Sequence, residues 1–193
     1  MPRTGMMALR KDALVNATIG EIGRQGSLDV TVGQIAKAAG VSSALAHHYF
    51  GSKDELFLAA MRSILSEFGA ESRRELAGNP LPRERLSALV KASFGGANFQ
   101  TEVVAAWLNF YVMAQTNTEA ARLLRVYQRR LVSNLTHALR PICATPLDVA
   151  RTTAALIDGL YIRHALSDAG PPDSAAAIAT VEAYLDLTCG AHQ

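Results

Sequence analysis

Trp107, Phe110, Tyr111 and Ala114 recur at i, i+3, i+4 and i+7, a spacing that sets three aromatic rings on one face of a helix. Asp158 and Tyr161 stand at i and i+3 on a later segment, and Tyr127 lies between the two in sequence. Ring faces offer quadrupole attraction and a carboxylate offers full charge. A quaternary ammonium ion, which has no N–H to donate, is held by those two means. The same residues also suit plain packing, with Asp158 answered by Arg151, Arg163 or a second subunit. The pattern leaves two readings open. One is a cation cage walled by Trp107, Tyr111, Tyr127 and Tyr161 with Asp158 as counter-charge, and the other is an aromatic core.

A second constellation carries recognition chemistry. Thr31 followed by Gln34 is a capping box, and Val32, Ile35, Ala36 and Ala39 behind it repeat at helical spacing. Gly40 stops that short helix, Ser42 caps a second one from Ser43 to Tyr49, and Gly51 ends it. Ser52 with Glu55 forms a further capping box that opens a long helix. Two short helices joined by a glycine-bearing turn make a helix-turn-helix. Leu45, Ala46 and Phe50 can face inward, which leaves Ser43, Ala44, His47, His48 and Tyr49 for the outer face. These are small or hydrogen-bonding groups with no acid among them, and they suit the major groove of DNA, although ordinary solvent surface has similar composition. On this reading Thr31, Ser42, Tyr49 and Lys53 hold phosphates, while Ser43, Ala44, His47 and His48 approach base edges. Lys53 opens a helix whose dipole favours acids there, so a phosphate would supply the missing anion, as Asp54 and Glu55 also can.

The charge distribution agrees. The chain has 193 residues and a formal net charge of only +2, yet its first 53 residues carry +3 and the remainder −1. A basic head on a near-neutral body is what phosphate binding needs. No nucleophile elbow, phosphate loop or dinucleotide fingerprint occurs, and no Cys/His cluster has zinc spacing. Adjacent His47 and His48 point about 100° apart on a helix and do not share a metal easily. The sequence therefore predicts no catalytic residues, no metal, no cofactor and no enzyme activity. Cys143 and Cys189, distant in sequence, read as free thiols. The longest mostly apolar run, Val103 to Ala114, is 12 residues with Asn109 inside it, too short for a bilayer, and the opening residues lack a signal-peptide pattern. Cytoplasmic localisation without membrane contact is expected.

These groups must be positioned by helices. A basic arm from Pro2 to Lys11 leads into a helix over about Ala8–Gln25, in which Leu14, Ala17 and Ile22 can cover the helix-turn-helix. Lys53–Ala77 shows a clear apolar stripe and is stopped by Gly78-Asn79-Pro80-Leu81-Pro82. Further helices read as Arg83–Ala97, Thr101–Gln115, Thr118–Arg140, Pro146–Asp168 and Asp173–Leu187, with Pro146 a start signal and Gly170-Pro171-Pro172 a stop. The expected fold is all-α with about nine helices: a three-helix DNA-binding head over 1–52 and a ligand-binding and dimerisation body over 53–193. The last two helices are apolar on more than one side, so they are expected to pack inward and against a second subunit, with Leu160 and Val181 in the seam.

Thr31, Ile35-Ala36, Ala39-Gly40-Val41-Ser42, Tyr49-Phe50, Lys53 and Glu55-Leu56 together resemble the head of the TetR family of bacterial transcriptional repressors. The body is similar to the choline-sensing repressors of glycine-betaine synthesis genes within that family. The likeness lies in Ala105-Ala106-Trp107-Leu108-Asn109-Phe110, in Arg122-Leu123 with Arg129-Arg130-Leu131-Val132-Ser133-Asn134-Leu135, in Ala154-Ala155-Leu156-Ile157-Asp158-Gly159-Leu160, and in the opening Met1-Pro2, Gly5-Met6 and Arg10. The resemblance implies a homodimer through a four-helix bundle of the last two helices, binding a palindromic double-stranded operator. It also implies choline, or a similar quaternary ammonium, as the ligand that releases or weakens DNA binding. A regulator of the same family answering to another hydrophobic or cationic molecule is the alternative.

Overall fold

Helical apolar periodicity runs through nearly every segment, and the computed structural model follows it. Residues 3–78, 81–95, 97–167 and 170–189 are described, and among them are nine helices and no strand. These are α1 Arg3–Gln25, α2 Val32–Ala38, α3 Ser43–Phe50, α4 Lys53–Ala77, α5 Pro82–Phe94, α6 Thr101–Met113, α7 Thr118–Leu139, α8 Pro146–Ala165 and α9 Ser174–Cys189.

In the head, local side-chain chemistry sets each boundary. Thr31 Oγ1 accepts from the Gln34 backbone N–H at 3.2 Å while Gln34 Oε1 accepts from the Thr31 N–H at 2.7 Å, so both halves of the capping box form. Gly40 at φ 68° and Gly51 at φ 74° make the turns on either side of α3, backbone that a Cβ would strain. Ser42 Oγ accepts from Leu45 N at 3.2 Å and starts α3. The box expected at Ser52 and Glu55 is only half formed. Ser52 Oγ accepts from Glu55 N, but the Ser52 N–H donates to the Phe50 carbonyl at 2.8 Å and the Glu55 carboxylate turns toward Arg62. Leu14, Ile22, Ile35, Ala36, Ala46 and Leu56 are buried beneath these turns.

Some expected boundaries move. α1 begins at Arg3, so the arm is helix rather than a lead-in, because Met6 to Lys11 are good helix formers. Its Met1-Pro2 start lies outside the described residues, as do Asn79, Pro80 and Asp168. α5 ends at Phe94 instead of Ala97, since Gly95 turns extended at ψ 159° and Asn98 Nδ2 donates to the Ala92 carbonyl. α8 stops at Ala165.

The body packs α5 to α9 around Leu86, Leu89, Leu131, Leu135 and Ile157, all buried, each worth roughly 1.5–3 kcal/mol in transfer terms. Arg83 of α5 latches α9 through Glu182 and through Asp186 at 2.6 Å. The head is seated on the body along α1, which packs against both α4 and α6. At the α1–α6 crossing a Cβ on Gly23 would stand 2.6 Å from Glu102 Cα, so only glycine allows that approach. Cys143 and Cys189, although distant in sequence, come within hydrogen-bond reach of one another as free thiols.

The expected seam is corrected in one position. Val181 is fully buried within the chain and belongs to its core, as does Leu185. Leu160 is half-buried, and the large apolar groups left outward are Leu147 and Ile162 on α8 at 44% and 37% exposure, Leu166 just past its end at 71%, and Leu187 on α9 at 87%.

Candidate nucleic-acid interface and ligand cage

The outer surface of α3 carries Ser43, Ala44, His47 and His48, all exposed, with the exposed Thr31 and Ser42 at the two helix starts beside it. Tyr49 is half-buried, tilted against His48 at 5.7 Å, and Lys11 Nζ lies 5.8 Å from its ring centroid. Lys53 Nζ rests 5.4 Å from the Phe57 centroid at the start of α4. His47 Nδ1 is 3.3 Å from the Gly51 carbonyl, which can only accept, so Nδ1 carries the hydrogen and Nε2 is left to face outward. Lys11 is a residue that sequence reasoning placed in an arm rather than beside α3. Its cation–π contact joins positions far apart in sequence, and only a chain folded on itself reveals it.

The body brings Trp107, Tyr111, Tyr127 and Tyr161 together from three helices. Trp107 is the hub, with ring centroids 4.7 Å from Tyr127, 5.8 Å from Tyr111 and 6.2 Å from Tyr161. Asp158 sits among them. The Tyr111 hydroxyl is within hydrogen-bonding reach of its carboxylate, and the charge also acts on Tyr127 and Tyr161. Burial pushes the Asp158 carboxyl up to about 6, against the opposing pull of the Tyr111 hydrogen bond. Burial, and then the Asp158 charge, raise all three tyrosines, so they remain neutral donors.

The four rings differ in freedom. Tyr161 is fixed: its hydroxyl donates to the Ser93 and Asn98 carbonyls, and its ring packs on Phe94 and Phe99. Tyr127 is 8% exposed and meets Phe68 of α4 on one side and Trp107 on the other. It also lines a cavity of about 510 Å³ between α4 and α7. That Phe68 and Phe99 touch the cage rings was not legible in the sequence, because neither shares a helix face with them. Arg151 and Arg163, weighed as partners for Asp158, are exposed and form no ion pair with it among the described residues. No group of three or more potential metal ligands exists among the described residues, and no helix there is long and apolar enough to cross a membrane.

Comparison with known proteins gives the arrangement its lineage. Residues 14–60 match the family of bacterial regulatory proteins, tetR family, and residues 82–190 match the BetI-type transcriptional repressor, C-terminal family. The HTH-type transcriptional regulator BetI of Brucella suis is 51% identical over 189 residues, covering 97% of this chain and 95% of the relative. The same regulator of Agrobacterium fabrum is 52% identical over 190 residues, covering 97% and 91%. Among solved structures, a transcriptional regulator of Pseudomonas aeruginosa PAO1 superposes with a TM-score of 0.77 at 26% identity, covering 91% of this chain and 88% of that one. A transcriptional regulator from Saccharomonospora viridis in complex with choline superposes at 0.78 with 20% identity, covering 91% and 95%, which is a likeness of fold. With a helix-turn-helix head, an all-α body and about half its residues shared with these regulators over nearly its whole length, this chain belongs to the BetI-type transcriptional repressors of the TetR family.

Proposed function

We propose that two copies of this chain bind a palindromic operator controlling betaine-synthesis and choline-uptake genes, and that choline in the aromatic cage weakens that grip. The observation that carries this reading is the convergence of four aromatic rings on one half-buried carboxylate. Rings supply cation–π attraction of about 0.5–2 kcal/mol each and Asp158 supplies the charge. The identity of about half to BetI regulators and the choline bound by the Saccharomonospora viridis regulator support the ligand class. Head residues 1–52 act as the DNA reader and 53–193 as the sensor, in the cytoplasm where operator DNA lies. Thr31, Ser42, Tyr49 and Lys53 hold phosphates, and Ser43, Ala44, His47 and His48 meet base edges. The exposed Ile162 of α8, Leu166 just past its end and Leu187 of α9 meet a second copy, setting the recognition helices about 34–36 Å apart or a multiple of it.

The mechanism follows from how tightly the rings pack. A cation rests over a ring face within about 6 Å of its centroid, with its own bulk between the two. Trp107 and Tyr127, with centroids 4.7 Å apart and planes tilted at 49°, leave no room for one between them unless they separate. Choline therefore binds a form in which α6 and α7 have parted, and it shifts the dimer only by binding that form better. Tyr127 touches Phe68, so the displacement reaches α4, which runs straight into the head at Lys53. The test is a choline titration followed by Trp107 fluorescence, with and without operator DNA. Saturable quenching or enhancement is expected, and operator should weaken choline by the same factor by which choline weakens operator. If millimolar choline changes neither fluorescence nor melting temperature, the cage reading fails and the ligand is another hydrophobic or cationic molecule.

A further inference from the structure

The cavity between α4 and α7 has a chemistry opposite to that of the cage. Its lining is mostly apolar, with Leu65, Phe68, Leu76, Leu123 and the exposed Val126, alongside Ser66, Ser72 and Asn134. Its rim carries Arg62, Arg73 and Arg130. Arg62 is partly answered, its Nη1 being 4.0 Å from Glu55 Oε2. Arg73 and Arg130 have no carboxylate within 4.0 Å among the described residues. The Arg73 guanidinium lies back along the cavity wall, where a Cβ on Gly69 would be 3.5 Å from Nη1.

Exposed arginines are satisfied by water, so their presence alone calls for no ligand. Two of them at the lip of an apolar trough nevertheless decide which ligand it takes. A quaternary cation is repelled, a neutral apolar molecule gains nothing from the guanidinium groups, and an anion with an apolar tail meets both features. The volume of about 510 Å³ is that of a small-molecule site, which typically spans about 300–1,000 Å³. We infer that the α4–α7 cavity is a second effector site, adjoining the aromatic cage at Tyr127, that takes an amphipathic monoanion of the alkyl-carboxylate class, tail on Leu65 and Leu123 and carboxylate on Arg73 and Arg130.

The site is placed to act on DNA binding. One wall is α4, the helix that continues from the recognition helix through Gly51 and Ser52. A tail entering the trough presses α4 away from α7. Tyr127 lines the trough and touches Trp107 on its other side, so an occupant of either site changes the space available to the other. The two ligands are thermodynamically linked, and reciprocally so.

The inference does not rest on the choline reading, and its test is independent. Purified full-length protein is titrated calorimetrically with octanoate and decanoate below their micellar concentrations, beside decanol and decyltrimethylammonium as head-group controls of equal chain length. Decanoate should bind one per chain, about tenfold or more tighter than either control, and each added methylene should tighten binding about two- to fourfold. Arg73→Ala with Arg130→Ala should cost decanoate at least tenfold while leaving the choline response of Trp107 fluorescence in place. Gly69→Leu, which fills the trough from a helical position, should abolish decanoate binding with the circular dichroism spectrum unchanged. Equal affinity for decanol, no heat with millimolar decanoate, or indifference to both variants overturns the site.

Discussion

Phe68 of α4 meets Tyr127 of α7 edge to face, their ring centroids 5.7 Å apart and their planes at 70°. This is the point at which the helix carrying the DNA-reading head touches the aromatic cluster around Asp158. Tyr127 is held on its other side by Trp107, so a cation that parts those two rings drives Tyr127 toward Phe68. An edge-to-face pair contributes roughly 0.5–1.5 kcal/mol beyond its buried area. That is of the order of the coupling free energies that make a repressor respond to its ligand.

Phe68→Leu should therefore separate sensing from response. Choline affinity, read from Trp107 fluorescence, should stay within about threefold, while the effect of choline on operator affinity shrinks about two- to tenfold, the factor matching that pair energy. Fluorescence anisotropy of labelled operator with and without choline measures it. An unchanged choline effect would place the coupling elsewhere, and the α1–α6 contact would be the next candidate.

In the head, Lys53→Ala should weaken operator and random DNA alike and reduce the slope of log affinity against log salt by about one. His47→Ala should instead alter preference among operator variants, because Nε2 is free for a base edge while Nδ1 is committed to the Gly51 carbonyl. Parallel titrations on operator and scrambled duplexes over a salt series distinguish the two roles. Equal losses on both duplexes for His47→Ala would assign it to the phosphates.

Leu166 is 71% exposed in the single chain, so Leu166→Glu costs the protomer fold little. It should nevertheless give monomers by sedimentation, with unchanged circular dichroism and operator affinity lower by about tenfold or more, as for a central interface residue. Val181→Glu makes the contrast: a charge at a fully buried position should unfold the chain. A Leu166→Glu protein that sediments as the wild type does would remove the C-terminal end of α8 from the seam.

Two glycines of α1 should respond oppositely to alanine. A Cβ at Gly23 would meet Glu102 Cα at 2.6 Å, whereas one at Gly20 meets nothing within 4 Å. Gly23→Ala should cost about 1–3 kcal/mol by forcing α1 from α6. Gly20→Ala should add about 0.5–1 kcal/mol through helix propensity. Denaturant melts at one protein concentration measure both. If Gly23→Ala were as stable as Gly20→Ala, α1 would not be seated as closely on α6 as described.

What the sequence made legible was set by range. The caps at Thr31 and Ser42 and the turns at Gly40 and Gly51 depend on neighbours within four residues, so the helix-turn-helix could be read directly. The half-formed box at Ser52 was missed because the Phe50 carbonyl competes for the same N–H, a contest that spacing does not decide. The faces carrying Trp107 with Tyr111 and Asp158 with Tyr161 were legible as faces. That Tyr161 would spend its hydroxyl on Ser93 and Asn98 was not, since those partners lie on another helix and its following turn. Val181 was misplaced for a related reason. A helix apolar on several sides does not announce which side meets its own core.

The last prediction concerns Asp158, whose carboxyl is pushed from an ordinary value of 3.8 up to about 6 by burial. Since the folded value lies above the unfolded one, this group favours the folded state most below about 3.8, and that contribution is lost as pH rises through about 6. Asp158→Asn should accordingly raise the melting temperature of the ligand-free protein at pH 7.5 relative to wild type. Choline runs the other way, because the proposed cage needs the ionised form. Lowering the pH from 7 to 5 should weaken choline about tenfold, the factor expected when a group of that pKa must give up its proton on binding. Asp158→Asn should bind choline more weakly at pH 7 and show no such slope. Tyr111 supplies the hydrogen bond that holds the carboxyl down, so Tyr111→Phe should move the midpoint of the pH dependence upward. Fluorescence titrations at half-unit pH steps, for wild type and both variants, test the three statements together. A wild-type affinity that is flat from pH 7 to 5 would mean that Asp158 is not the counter-charge.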